Sequence, residues 1–120
     1  MNNFVGKQVV AAVIVALAVS AAPAARAAGS PKDGAGKAAM CIGCHGIEDY
    51  RTAYPEVYRV PLLGGQNQQY LENALKAYRK KDRHFASMNA IAASLTDQDI
   101  ADLAAYYAAQ KPDSKINPYK

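Results

Sequence analysis

The stretch Met40-Cys41-Ile42-Gly43-Cys44-His45-Gly46 holds both cysteines of the chain and one of its two histidines. Two thiols and an imidazole so close together restrict what the surrounding fold can be, because they must converge on a common chemistry or stay apart. Three chemistries compete. A dithiol oxidoreductase uses Cys-x-x-Cys, but next to a βαβ pattern, and no strand pattern is found here. A structural zinc site needs four ligands, commonly from a second pair of Cys or His. Cys41, Cys44 and His45 supply three, and His84 is the only other histidine. Covalent haem needs no fourth side chain from the same motif. Each thiol adds to a vinyl group and the adjacent histidine binds iron. One helical turn brings both sulfurs under the macrocycle edge and aims the next side chain at its centre. The residues rank haem first, zinc second and dithiol redox third.

The N-terminus supports that order. Lys7 is a short positive region, and Val9–Ala22 is an apolar run of 14 residues interrupted by one serine. Ala25-Arg26-Ala27 then offers small residues where a signal peptidase reads them. This is the layout of a secretory signal peptide. A membrane span needs about 20 predominantly apolar residues, so the run is short for an anchor. Residues 1–27 are expected to be removed. A membrane role arises only if they stay attached. Haem of this type is attached outside the cytoplasm, so the expected location is periplasmic.

Cleavage leaves residues 28–120, or 93 of the 120 residues, with 12 basic and 10 acidic side chains once Lys7 and Arg26 are gone. A balance of +2 is too mild to indicate nucleic acid. A chain this small makes one domain, and such domains often draw stability from a metal or cofactor. The expected organisation is signal peptide 1–27, domain 28–111 and a frayed tail 112–120.

The periodicities of the mature chain are helical, and no sheet is expected. Ser30-Pro31 opens a first helix running to about Gly43. Residues 46–66, rich in Pro, Gly and Tyr, read as a long loop. Asn67 caps a helix from Gln68 to about Lys81, with Leu71, Ala74, Leu75 and Tyr78 on one face. Arg79, Lys80 and Lys81 suit its negative C-terminal end. Residues 82–88 read as loop and 89–94 as a short helical turn. Thr96 caps a last helix with Asp97 and Asp99 in its first turn and Ile100, Leu103, Ala104 and Tyr107 as its stripe. The basic run Lys76, Arg79, Lys80, Lys81, Arg83 reads first as a solvated helix end and second as a docking patch for an acidic partner.

Three segments, GAGKAAMCIGCHG, PLLGGQNQQYLENALKAYR and MNAIAASLTDQDIADLAAYYAAQ, fall in the order and near the spacing of a known family. Over residues 33–110 the chain resembles the class I c-type cytochromes, above all the single-haem bacterial periplasmic proteins and the halves of their dihaem relatives. The resemblance implies an all-α cytochrome c fold, with helices packed around one covalent haem c. It implies electron transfer by Fe(II)/Fe(III) cycling and no enzymatic reaction. The partners would be redox proteins, a donor dehydrogenase and an acceptor oxidase or reductase. Alternatives are a haem subunit fixed to a dehydrogenase and, further off, an open-site enzyme or gas sensor.

Carried over residue by residue, the resemblance makes Cys41 and Cys44 the haem attachment points and His45 the proximal iron ligand. Pro61 would accept the other N–H of His45, and Leu63 would pack on the haem. Gly34 would let the first helix cross the last one against Leu103 and Tyr106. Tyr50, Tyr54 and Tyr58 either cover the haem edge or simply pack. For the sixth ligand, Met40 precedes Cys41 on the tethered helix and cannot reach round. His84 and Met88 remain. Met88 sits beside the apolar run AIAASL and matches the family's ligand methionine, whereas His84 lies among charged residues. Met88 is therefore expected on iron and His84 in solvent.

Overall fold

The computed structural model describes residues 28–111; the expected signal peptide and the tail 112–120 lie outside them. Five helices lie among these residues: α1 (Pro31–Lys37), α2 (Ala39–His45), α3 (Gln68–Lys80), α4 (Ala86–Ala93) and α5 (Asp97–Ala108). Two short strands, β1 (Arg51–Thr52) and β2 (Tyr58–Arg59), lie between α2 and α3. No helix among the described residues is long and apolar enough to cross a membrane.

Helix starts follow the capping residues. Ser30 Oγ accepts the Asp33 N–H, with Pro31 in the first turn. Asn67 caps α3 through the Tyr70 N–H. Thr96 and Asp99 form a reciprocal capping box at α5, satisfying two of the amides a helix start leaves open. Helix α3 closes with the Asp82 N–H on Ala77 O (2.9 Å) and the Lys81 N–H on Tyr78 O (3.1 Å). Lys81 takes the left-handed conformation, φ 65°, which this double closure requires.

Three expectations are corrected. The first helix is two: it breaks at Ala38, where the Cys41 N–H reaches back only three residues to Ala38 O (2.8 Å). Ala38 is 1% exposed, so this tightened turn lies in the core. The second piece runs past Gly43 to His45. The loop 46–66 contains an antiparallel pair, Arg51 opposite Arg59 and Thr52 opposite Tyr58. Two-residue strands carry no alternation to read. Backbone and side-chain bonds hold them instead: Val60 N–H to Tyr50 O, and Thr52 Oγ1 to Glu56 O and Tyr58 O. Finally, α4 starts at Ala86, so Met88 is helical. Phe85 at its start supplies no capping side chain. Asn89, inside the helix, accepts the Phe85 N–H (2.9 Å) and donates to Tyr78 O and Arg83 O. A cap contributed from within the helix is invisible to a search for Ser, Thr, Asp or Asn at its start.

Helix α1 packs along α5, and α3 packs against both α4 and α5. The core joins Ala38, Leu71, Leu95, Ile100, Leu103, Ala104 and Tyr107, with Cys41, Ile42, Leu63, Leu75 and Tyr106 half-buried against it. At the α1–α5 crossing a Cβ on Gly34 would lie 2.1 Å from Asp102 O and 2.7 Å from Tyr106 Cβ. The crossing is thus as close as expected, and its nearest obstacles are Asp102 and the expected Tyr106. Asp102, 2% exposed, locks it by accepting from Ser30 N (2.8 Å), Lys37 Nζ (2.6 Å) and Gln98 Nε2 (2.8 Å).

Candidate functional site

The helices enclose one side of an apolar cleft of about 1340 Å³, part of which is open solvent. Its walls come from α2 to α5 and from the segment between α2 and α3. Helix α2 contributes Cys41, Cys44 and His45, and the loop before α3 contributes Pro61, Leu62 and Leu63. Helix α3 adds Leu71, Leu75 and Tyr78, α4 adds Met88 and Ile91, and α5 adds Leu103, Ala104 and Tyr107. The apolar stripes of α3 and α5 thus point partly into the core and partly into this cleft.

The Cys-x-x-Cys-His turn is helical, as its spacing requires. Both cysteines are free thiols and half-buried. Burial pushes the Cys41 thiol above its ordinary pKa, with Tyr107 opposing and Cys44 adding to the rise. His45 Nδ1 lies 2.7 Å from Pro61 O. A carbonyl only accepts, so Nδ1 carries the proton and donates it, which leaves Nε2 with its lone pair. Burial lowers the His45 pKa, while the Pro61 carbonyl works against that shift. Burial thus favours the neutral ring, and the Pro61 carbonyl favours a proton on Nδ1.

On the other side, Met88 lines the cleft and His84 does not; His84 is exposed. Cys41, Cys44, His45 and His84 thus do not converge, and no cluster of three or more metal-ligating side chains occurs among the described residues. That removes the fourth ligand a zinc site would need. Of the three loop tyrosines, Tyr58 lines the cleft and packs tilted on Phe85 at 5.1 Å. Tyr54 is 83% exposed, and Tyr50 is absent from the lining.

Two residues named from the sequence for other reasons also line the cleft. Arg83 is the only cationic side chain among the described lining residues, which include no carboxylate. Its guanidinium sits over the Tyr78 ring at 4.8 Å and donates to Tyr70 Oη at 3.4 Å. Within the basic run, Lys76 pairs with Glu72, and Arg79 binds Asp97 and the Leu95 carbonyl. Much of the run is therefore engaged within the fold. Tyr107 is the second. It belongs to the predicted stripe of α5, but its hydroxyl is buried without a hydrogen-bond partner among the described residues. An apolar periodicity gives no hint that one member carries a polar atom into a cavity.

The donor set suits a flat apolar ligand tethered through sulfur. The two thiols and one imidazole nitrogen stand on one wall, the Met88 thioether on another, with aliphatic and aromatic side chains between. Comparison with known proteins agrees. The cytochrome c family model matches residues 32–110. Cytochrome c-554(548) of Halomonas halodenitrificans is 41% identical over 87 residues, covering 70% of this chain and 100% of that protein. Cytochrome c4 of Pseudomonas aeruginosa is 38% identical over 72% of this chain. The crystal structure of reduced recombinant cytochrome c4 from Pseudomonas stutzeri superposes with a TM-score of 0.57 at 33% identity, over 70% of this chain. The chain spans only 41% and 47% of those two c4 proteins, respectively.

Proposed function

The chain belongs to the cytochrome c family, and on that premise we propose that it is a periplasmic single-haem carrier with His45 and Met88 as its axial iron ligands. Members of this family carry covalently attached haem c and pass electrons to partner proteins without enzymatic chemistry. This chain does the same. When bound, the haem supplies a one-electron iron couple. Everything else is work for the side chains.

Cys41 and Cys44 would tether the group by thioether bonds, and His45 Nε2 would face the iron. The bond from His45 Nδ1 to Pro61 O (2.7 Å) fixes the tautomer and ring direction, as an outer-shell acceptor does for a ligating histidine. Met88, on the α4 wall of the same cleft, would supply the thioether ligand. A neutral thioether in place of a second imidazole favours the reduced ion and gives a higher potential. Leu63, Leu71, Leu75 and Leu103 exclude water. Arg83, the one cation of the described lining, would meet the carboxylates of the macrocycle. Tyr78 and Tyr70 hold the guanidinium in place.

The observation that carries this reading is the shared cleft: Cys41, Cys44, His45 and Met88 line it and His84 lies outside. The periplasmic location rests on the signal-like residues 1–27 and on the site of haem attachment. The test is spectroscopic. The oxidised protein is expected to show the weak red charge-transfer band of a sulfur–Fe(III) bond. Met88→Ala should abolish it and lower the potential, and His84→Ala should leave both intact. Loss of the sixth ligand in His84→Ala would overturn the assignment. Acid-acetone extraction that strips all colour from the polypeptide would overturn covalent attachment.

A further inference from the structure

Tyr107 is 2% exposed, and its hydroxyl is the buried side-chain polar atom that no described residue satisfies. Native folds pair nearly all such atoms, and an unpaired one calls for an explanation. Phenylalanine would fill the same space, keep the edge-on ring contact with Tyr106 at 5.1 Å, and leave no polar atom stranded. The hydroxyl belongs to a side chain of the cleft wall that Cys41 also lines, and Cys41 packs against the core cluster that contains Tyr107. The Cys41 sulfur is where the cofactor is anchored on the reading above. Once alkylated it has no hydrogen of its own and can only accept.

Resting on that reading, we propose that the Tyr107 hydroxyl is kept free for the tethered haem, donating a hydrogen bond to the Cys41 thioether sulfur and so biasing the centre toward its reduced state. A donor dipole pointed at the sulfur draws electron density from the ring edge to which it is bonded. An added electron is then better accommodated. The effect is transmitted in a dry, apolar cleft, where a single dipole is little screened. Tyr107 acts through Cys41 and is a positioning and tuning residue, not a ligand.

The test uses the holoprotein and its Tyr107→Phe variant, both with covalent haem. Redox titration should show the reduction equilibrium constant of the variant lowered about threefold, which for one electron is about 28 mV at 59 mV per tenfold. Proton NMR of the reduced wild type should show a slowly exchanging phenolic proton with a nuclear Overhauser contact to the Cys41 β-protons. An unchanged potential in a variant that loads haem, or a fast-exchanging phenol without that contact, would overturn the proposal. Should Tyr107→Phe fail to load haem, the wild-type NMR measurement decides by itself. Colour lost on acid-acetone extraction of the wild type would instead remove the haem reading beneath it, so the two failures are told apart.

Discussion

Two glycines of α1 lie two residues apart, and their replacement by alanine should have opposite effects. Gly36 has nothing within 4 Å of the place a Cβ would occupy. Alanine there should stabilise the helix by about 0.5–1 kcal/mol, because glycine loses more backbone freedom on folding. Gly34 is different. Its Cβ would stand 2.1 Å from Asp102 O and 2.7 Å from Tyr106 Cβ, where ordinary contacts are ~3.5 Å. Both obstacles belong to the rigid part of α5, so no flexible side chain can swing away. The helices would have to separate by roughly 1 Å, and overpacking of that kind costs about 1–3 kcal/mol. Separation also pulls on the bonds from Ser30 N and Lys37 Nζ to Asp102 at the same crossing. Against this stands a propensity gain of about 1 kcal/mol. The net expectation for Gly34→Ala is a loss of about 2 kcal/mol, or roughly 8–16 °C in Tm for a domain this size. Guanidinium unfolding of the holoprotein, followed by circular dichroism, measures it as a lower midpoint at unchanged slope. A Gly34→Ala midpoint equal to or above wild type would refute the close crossing as the reason for that glycine. A Gly36→Ala variant as damaged as Gly34→Ala would show that steric contact is not what separates them.

Asp102 makes an acid-sensitive clasp: the Lys37 ammonium and then the Ser30 N–H hold its carboxyl below the usual carboxylate range, against the effect of burial. A folded-state pKa depressed in this way contributes stability that is present above the unfolded value of about 3.9 and is lost as pH falls through the folded value. Melting temperature should therefore drop on acidification below about pH 4, and Asp102→Asn should be less stable at pH 7 with a flatter acid limb; an identical acid limb in the two proteins would contradict this role. Removing the cofactor tethers with Cys41→Ser and Cys44→Ser should leave a poorly folded chain, because the cleft exposes the inner faces of α3, α4 and α5. Cooperative, native-like melting of that variant by calorimetry would count against a fold built around its ligand.

Elements whose causes are local are legible in the amino-acid order. Ser30, Asn67 and Thr96 act on amides three residues away, and the stripes of α3 and α5 repeat within a single helix, so both can be read from spacing. The Cys41–His45 motif is legible for the same reason: one helical turn carries all its chemistry. What the tertiary structure decided depends on residues far apart in the chain. Pro61 meets His45, Gly34 meets Asp102 and Tyr106, and Arg83 and Tyr107 enter the cleft only because α3, α4 and α5 converge there. Stripe periodicity marks which face of a helix is apolar, but not whether a neighbour or a ligand covers it. That is why Tyr107 reads as core from the sequence and proves to be core and cleft wall at once. For Met88 and His84 the apolar run after Met88 and the family resemblance point to the side chain that turns inward, but not to the contacts that turn it. Packing decides it: Asn89 bonds the Phe85 amide and the carbonyls of Tyr78 and Arg83, starting α4 early enough to carry Met88 onto the cleft wall and leave His84 outside.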